Sequence, residues 1–149
     1  MKRPTAISQN KNAFDPFAGP PIERVMYTTH SQAEIWIACK LGGDDANRAY
    51  NESVSLILNG ELNKIILEHC IEELIQRHQS LRATFSTDGR FMCVFEEVPI
   101  QINDQDISSL SKKEQEKALA IYLKEDAHYV FDLIKGPLFK VGLLSLIHI

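Results

Sequence analysis

The apolar residues of this chain follow two different spacings, and their alternation is the feature that most constrains the fold. In SVSLILNG, Val54, Leu56 and Leu58 alternate with polar residues, which predicts a half-buried strand. From Asn63 to about His78, apolar residues recur every three or four positions, which is typical of an amphipathic helix that Asn63 caps. Because the chain has 149 residues and both spacings, we expect one domain, or part of one, built from helices and strands.

Two capping signals predict further helices on either side of this unit. Thr29 or Ser31 can cap a short helix through IWIACK, and the pair Gly42–Gly43 is expected to end it. Ser111 and Glu114 form a capping-box pattern that predicts a third helix. The inward face of that helix is expected to carry Leu119, Tyr122, Leu123, Ala127 and Val130.

Turn residues predict how the strands connect. LRATFS and FMCVFEEV flank the turn signal Asp88–Gly89 and therefore predict a hairpin. VPIQIND continues the strand pattern and is expected to extend the hairpin, with Pro99 at an edge or a bulge. LFKVGLLSL predicts a last strand, whereas residues 1–24 hold no sustained period and are predicted to be an extended lead-in or linker.

Charge and apolar runs exclude several classes of partner. The net charge is −4 and the basic residues form no stripe that would attract a phosphate backbone, so we expect no nucleic-acid partner. Runs such as VGLLSLI are far shorter than the ~20 residues of a membrane-spanning helix, so we expect no membrane partner. No apolar core follows the basic start of the chain, which argues against a secretory signal and predicts a cytoplasmic location.

The cysteines and histidines do not form a metal-binding pattern. Cys39, Cys70 and Cys93 are odd in number and far apart, and their apolar neighbours predict reduced, buried side chains. The five histidines lack the i, i+4 spacing that places two ligands on one helix face. We therefore expect no metal and no directly bound cofactor.

No segment supplies a complete catalytic centre. No serine lies in a G-x-S-x-G elbow and no cysteine pairs with a histidine at a recognised spacing, so we assign no catalytic residue. In RHQSLRATF, His78 ends a predicted helix and Arg82 enters the next strand, where the two could bind an anion or hold a carboxylate. Alternatively, His78 caps the last carbonyls of its own helix and Arg82 pairs with a nearby acid.

Four segments match motifs of one family. RHQSLRATF matches R-H-x-x-L-R-x-x-F, and THSQAEIW is similar to S/T-x-A-Q-x-R-x-W, with Ser31 and Glu34 in place of alanine and arginine. AYNESVSLILNGELN resembles Y-N-x-x-x-x-x-x-x-G-x-L-D, and FDLIKGPLFKVGLL fits F-D-L-x-x-G-P-L-x-x-x-L-L. In order and spacing, the segments resemble the condensation domains of nonribosomal peptide synthetases over about residues 22–144. The segment RHQSLRATF is predicted to be a structural motif, whose matching residues are Arg77, His78, Leu81, Arg82 and Phe85.

The resemblance implies an α/β fold like that of chloramphenicol acetyltransferase, of which this chain would be an incomplete N-terminal lobe. In the family, a tunnel between two lobes receives thioesters carried on the phosphopantetheine of carrier proteins, and a histidine of H-H-x-x-x-D-G positions or deprotonates the attacking amine. That motif is not among the 149 residues, so we expect this fragment to be inactive alone, although its parent would form an amide bond. The implied partners are carrier proteins and the remaining synthetase domains, and Arg82 would meet the aspartate of the motif.

The expected organisation is a lead-in over 1–24, the N-terminal part of a condensation domain over 25–144, and a tail over 144–149. The tail LSLIHI breaks the family pattern, and a transposon end used in sequencing libraries encodes the same six residues in one frame. We expect the tail to be adaptor-encoded, so His148 is not equated with a catalytic histidine. One alternative is a stand-alone, non-catalytic module that docks a carrier protein or a companion subunit. Another is the same fold used for acyl transfer from coenzyme A.

Overall fold

The computed structural model describes residues 19–100 and 102–147, where helices and strands follow one another in mixed order. The elements are β1 Ile22–Tyr27, α1 His30–Ala49, α2 Lys64–Arg77, a 3-10 turn Gln79–Arg82, β2 Ala83–Phe85, β3 Phe91–Phe95, β4 Ile102–Asp106, α3 Lys112–Ala127 and β5 Val141–Ser145. No helix in this described part is long and apolar enough to cross a membrane. The expected lead-in lies outside the described residues as far as residue 18, and its last residues enter β1.

Three antiparallel strands form the first sheet, in the order β1–β3–β2. β2 and β3 make the hairpin predicted around Asp88–Gly89, which is confirmed. β1 has no counterpart in the sequence-based prediction, because all six of its residues are exposed and its sequence shows no alternation. The core of the sheet consists of Ala83, Phe85, Met92 and Val94, with Trp36, Leu133 and Leu138 packed against them.

Gly89 allows the hairpin to turn beneath α1. Its φ is +70°, a region where side chains other than glycine are strained. A Cβ at this position would overlap Cδ2 of Trp36, so the Trp36 indole on α1 covers the turn. The Thr28 hydroxyl also donates a hydrogen bond to the Gly89 carbonyl at 3.0 Å. Glycine is therefore required here by both backbone and packing.

The second sheet pairs β4 and β5 in parallel, with Ile102 opposite Val141 and Asp106 opposite Ser145. The prediction that VPIQIND extends the hairpin is therefore wrong: it forms a strand, but the strand belongs to another sheet. α3 provides the crossover that a parallel pair needs. Local alternation indicates a strand and carries no information on its distant partner, which explains the error.

The three predicted helices begin at their predicted caps. At α1, the Thr29 hydroxyl accepts from the Gln32 backbone N–H at 3.3 Å, and the Gln32 side-chain oxygen accepts from the Thr29 N–H at 2.8 Å. At α2, Oδ1 of Asn63 accepts from the backbone N–H of the third helical residue at 3.1 Å. At α3, the Ser111 N–H donates to the Glu114 carboxylate at 2.9 Å. These bonds satisfy amide groups that a helix start otherwise leaves unpaired.

The first helix is longer than predicted. Gly43 adopts φ 63° and ψ −147°, so the glycine pair interrupts the helix as expected. Helical structure resumes at once and continues to Ala49, so the prediction that the pair ends the helix is wrong. Arg48 supports the added turn through a 2.8 Å ion pair with Asp45, one turn earlier.

The prediction of a strand in SVSLILNG is wrong. Residues 51–59 form no strand, and none of the described strands pairs with them. The side chains of Val54, Leu56 and Ile57 are 83%, 79% and 85% exposed. Alternation shows which side chains favour burial, but a strand also needs a neighbouring backbone to accept and donate its hydrogen bonds.

The three cysteines are free, and their burial differs. Cys39 is buried and Cys93 partly buried, and burial raises the pKa of both thiols. Cys70 is exposed, so the expectation of burial is wrong for this residue. The reason is that α2, which carries Cys70, packs chiefly against the 3-10 turn that follows it.

Candidate functional site

Arg82 occupies the centre of the RHQSLRATF segment, at the last position of the 3-10 turn between α2 and β2. Its side chain is 5% exposed, and arginine is seldom buried to this degree without partners. The local sequence explains the burial: the chain leaves α2 at Arg77, turns, and enters the core with Ala83. A permanent positive charge is thus placed inside the protein.

The Arg82 guanidinium donates hydrogen bonds to four backbone carbonyls. Nε donates to the Ile75 carbonyl and Nη2 to the Gln76 carbonyl, both at 3.1 Å. These carbonyls lie in the last turn of α2, where a helix has no internal donors left. Nη1 donates to the carbonyl of Phe95 and, at 3.2 Å, to that of Glu96. Arg82 therefore ties the end of α2 to the end of β3.

Glu23 of β1 supplies the negative charge opposite this guanidinium. Nη1 of Arg82 donates to Oε2 of Glu23 at 2.7 Å, and Nε2 of Gln79 donates to Oε1 at 2.6 Å. The hydrogen bond from Arg82, and after it the one from Gln79, lowers the pKa of the Glu23 carboxyl below its ordinary value. Both bonds favour the ionised carboxylate, so the pair is charged at neutral pH.

The structure favours the second of the two interpretations of His78 and Arg82, with one change. Arg82 pairs with an acid, as that interpretation requires. The last carbonyls of α2, however, accept hydrogen bonds from the Arg82 side chain and not from that of His78. His78 is exposed and caps the helix only through its backbone N–H, which donates to the Leu74 carbonyl at 3.1 Å.

The other residues of the structural motif lie in different environments. Arg77 is exposed on the last turn of α2, Leu81 is half-buried, and Phe85 belongs to the core. Glu23 is the residue that sequence reasoning missed, because it falls within the expected lead-in of residues 1–24. The run IERVMY lies just before a capping box and contains three residues that favour strands, an isoleucine, a valine and a tyrosine. It is the signal that could have placed Glu23 in a strand.

A cavity of about 1010 Å³ lies between residues 51–62, α1, α3 and β5. Its apolar lining includes Ile35, Phe85, Leu119, Leu123, Leu138 and Leu143. Of the histidines within the described residues, none lines it. The hydroxyl of Ser145 is buried at the cavity wall with no hydrogen-bond partner in the described part of the chain. The cavity offers space for apolar groups and no histidine to act on them.

Within residues 19–100 and 102–147, no group of three histidine, cysteine, aspartate or glutamate side chains could hold a metal ion. The interactions at this site are instead an ion pair and hydrogen bonds, and all of them centre on Arg82. That arrangement orients backbone and side chains and contains no nucleophile paired with a base.

A family model described as the condensation domain matches residues 22–147. A linear gramicidin synthase of Brevibacillus parabrevis is 38% identical over 101 residues, which cover 66% of this chain and 1% of that protein. Chondramide synthase of Chondromyces crocatus is 30% identical over 126 residues, which cover 83% of this chain and 3% of that protein. The chain therefore spans only a small part of the curated relatives that it matches.

Solved structures give the same result at the level of the fold. The starter condensation domain of rhizomide synthetase matches with a TM-score of 0.65 and 21% identity, over 83% of this chain and 31% of that one. A four-domain nonribosomal peptide synthetase bound to AMP and glycine matches with a TM-score of 0.67 and 19% identity, over 91% of this chain and 10% of that one. These matches confirm the expected α/β, chloramphenicol acetyltransferase-like fold, of which this chain covers a part.

Proposed function

The chain belongs to the condensation-domain family of nonribosomal peptide synthetases, and we propose that it is the N-terminal part of a domain that forms amide bonds between carrier-bound substrates. The observation that supports the proposal most is the family match over residues 22–147, which includes the buried Arg82 and its hydrogen bonds. The proposed domain organisation is the lead-in over 1–24, whose last three residues already belong to β1, followed by the condensation segment over 25–144.

The proposed reaction joins an acyl or peptidyl donor to an aminoacyl acceptor. The acceptor nitrogen attacks the carbonyl carbon of the donor thioester, a C–N bond forms and the C–S bond breaks. The sulfur stays on the phosphopantetheine of the donor carrier protein and leaves as a thiol, because it takes up the one proton that the nitrogen loses. A histidine of H-H-x-x-x-D-G would position that amine or accept its proton. Because the 149 residues lack this motif, we propose that they do not catalyse the reaction by themselves.

Arg82 has a supporting role in this proposal. Nη2 bonds one carbonyl, that of Gln76, so one of its two hydrogens has no acceptor within the described residues. We propose that the aspartate of the H-H-x-x-x-D-G motif accepts a hydrogen bond from this guanidinium and is held in place by it. The segment RHQSLRATF would then brace the catalytic loop without touching the reacting atoms.

The proposed partners are carrier proteins bearing acyl and aminoacyl thioesters, together with the other domains of a synthetase. The phosphopantetheine belongs to the carriers, and we propose no cofactor held by this chain, which would work in the cytoplasm. We also propose that LSLIHI, residues 144–149, is adaptor-encoded. The support lies in the sequence, because a transposon end used in sequencing libraries encodes the same six residues in one frame.

The experiment that tests the proposal starts from the source DNA. Reading several hundred bases beyond codon 144 would show whether the frame continues into H-H-x-x-x-D-G, and the complete domain would then be assayed with two loaded carrier proteins. We expect amide product from the complete domain and none from the 149-residue chain. In the complete domain, Arg82→Ala should lose condensation, whereas Arg77→Ala, on the exposed face of α2, should retain it.

A second candidate function is a stand-alone, non-catalytic module that docks a carrier protein or a companion subunit. The observation that favours it is the exposed apolar run Val54–Leu58, which could contact another protein. A genuine stop codon after Ile149, together with saturable binding of a carrier protein by the 149-residue chain, would replace the first proposal with this one.

A further inference from the structure

Glu23 connects the first strand of the protein to the buried guanidinium of Arg82. We infer that Glu23 is a positioning residue for the proposed amide-forming reaction: its carboxylate fixes the Arg82 guanidinium so that Arg82 can hold the catalytic loop. This inference rests on the proposed function. It assigns a role to a residue that lies outside the RHQSLRATF motif and 59 positions before Arg82.

The first argument concerns charge. Four of the five groups that accept hydrogen bonds from Arg82 are neutral carbonyls. The fifth is the Glu23 carboxylate, and among the described residues Arg82 forms an ion pair with no other acid. A buried positive charge without an opposite charge is strongly unfavourable. The Glu23 carboxylate therefore compensates the buried positive charge of Arg82.

The second argument concerns the backbone of β1. Ile22 pairs with Phe95 and Arg24 with Val94, so the register between β1 and β3 shifts at Glu23. Such irregularities re-aim the side chain of the extra residue, and they are enriched beside active sites. Here the shift places Glu23 against Arg82, while the backbone N–H of Glu96 donates to the Pro21 carbonyl at 3.0 Å and pins the strand.

The third argument concerns orientation. Gln79 donates to one carboxylate oxygen of Glu23 and Arg82 to the other, so both oxygens are held. The carbonyls of Ile75 and Gln76 hold the opposite side of the guanidinium. With its plane fixed at both ends, Arg82 keeps one Nη2 hydrogen for a further acceptor. Losing Glu23 would remove the one charged group that orients the guanidinium and leave it held by neutral carbonyls alone within the described residues.

The test compares three variants of the complete domain in condensation assays with loaded carrier proteins. Glu23→Gln keeps the shape and removes the charge, and Glu23→Asp keeps the charge on a shorter side chain. Glu96→Gln is the matched control, because Glu96 contacts Arg82 through its backbone carbonyl and not its carboxylate. For Glu23→Gln we expect kcat to fall about tenfold to a hundredfold with KM for the acceptor unchanged. Glu23→Asp should have a kcat between those of Glu23→Gln and the unaltered domain. Glu96→Gln should keep the kcat of the unaltered domain.

A merely structural role would give a different pattern. Each variant is assayed at a temperature where near-ultraviolet circular dichroism shows it fully folded, so a loss of stability cannot lower kcat. If Glu23→Gln lowers the melting temperature and yet keeps the kcat of Glu96→Gln, the inference is overturned. If the unaltered complete domain forms no amide, the proposed function fails first and takes the role of Glu23 with it. The two failures are thus distinguishable.

Discussion

At the scale of single residues, Arg82 and Glu23 show what a sequence motif contains and what it omits. The motif contains Arg82, and the position of Arg82 just after a helix end predicted that it binds an anion or pairs with an acid. It could not supply Glu23, because the partner lies 59 residues earlier in a stretch that carries prolines and no period. Hydrogen bonds between distant residues depend on the final fold, so the chain order alone does not reveal them.

The first prediction at this scale concerns Gly89. Gly89→Ala should destabilise the protein by about 2–4 kcal/mol, because the positive φ strains an alanine and its Cβ meets the Trp36 indole. Urea titration followed by circular dichroism measures the change. Gly19→Ala is the control, since nothing lies within 4 Å of a Cβ there. Equal urea midpoints for the two variants would contradict the packing of Trp36 over the turn.

The second prediction concerns Ser145. Ser145→Ala should stabilise the protein by about 1 kcal/mol, because it removes a buried hydroxyl that has no hydrogen-bond partner in the described residues. Ser55→Ala, at an exposed position, should change the free energy of unfolding by less than about 0.5 kcal/mol. Both values come from the same urea titration. A loss of stability in Ser145→Ala would show that the hydroxyl has a partner in solution.

At the scale of elements, the sequence predicted what is local. Caps at Thr29, Asn63 and Ser111 placed three helix starts correctly, since a cap and its partner are three residues apart. The hairpin was predicted for the same reason, because its turn is read within a few residues. Pairing between distant strands was not predicted: the partner of β4 is β5, and they are separated by a whole helix.

The segment of residues 53–58 gives the prediction at this scale. Its amides should exchange with deuterium almost as fast as those of an unfolded peptide, because no described strand pairs with them. Amides of β3, which pairs on both sides, should exchange far more slowly and serve as the internal control. Exchange measured by mass spectrometry after brief labelling distinguishes the two. Protection equal to that of β3 would mean that SVSLIL forms a strand in solution, as its alternation predicts.

At the scale of the whole molecule, burial is uneven. The hairpin sheet holds a compact core, whereas α2 and residues 54–58 leave large apolar side chains in water. The chain covers 31% of the starter condensation domain and 10% of the four-domain synthetase that it matches. The composition and charge could not reveal this imbalance, since they describe how many apolar residues there are and not which of them find neighbours.

The last prediction follows from these exposed side chains. The 149-residue chain should self-associate as its concentration rises and should bind an apolar fluorescent dye, because contiguous apolar surface favours association. In the double variant Leu56→Lys with Ile57→Lys, both effects should weaken.

The matched control, Ser55→Lys with Asn59→Lys, adds the same charge to the same exposed segment and keeps its apolar side chains, so it should associate nearly as the parent does. Sedimentation velocity over a hundredfold range of concentration measures the association. If the control loses association as fully as Leu56→Lys with Ile57→Lys, repulsion between charges explains the effect. If the unaltered chain remains a monomer throughout and binds no dye, the exposed segment is covered in solution, and the strand that its alternation predicts becomes the better description of residues 54–58.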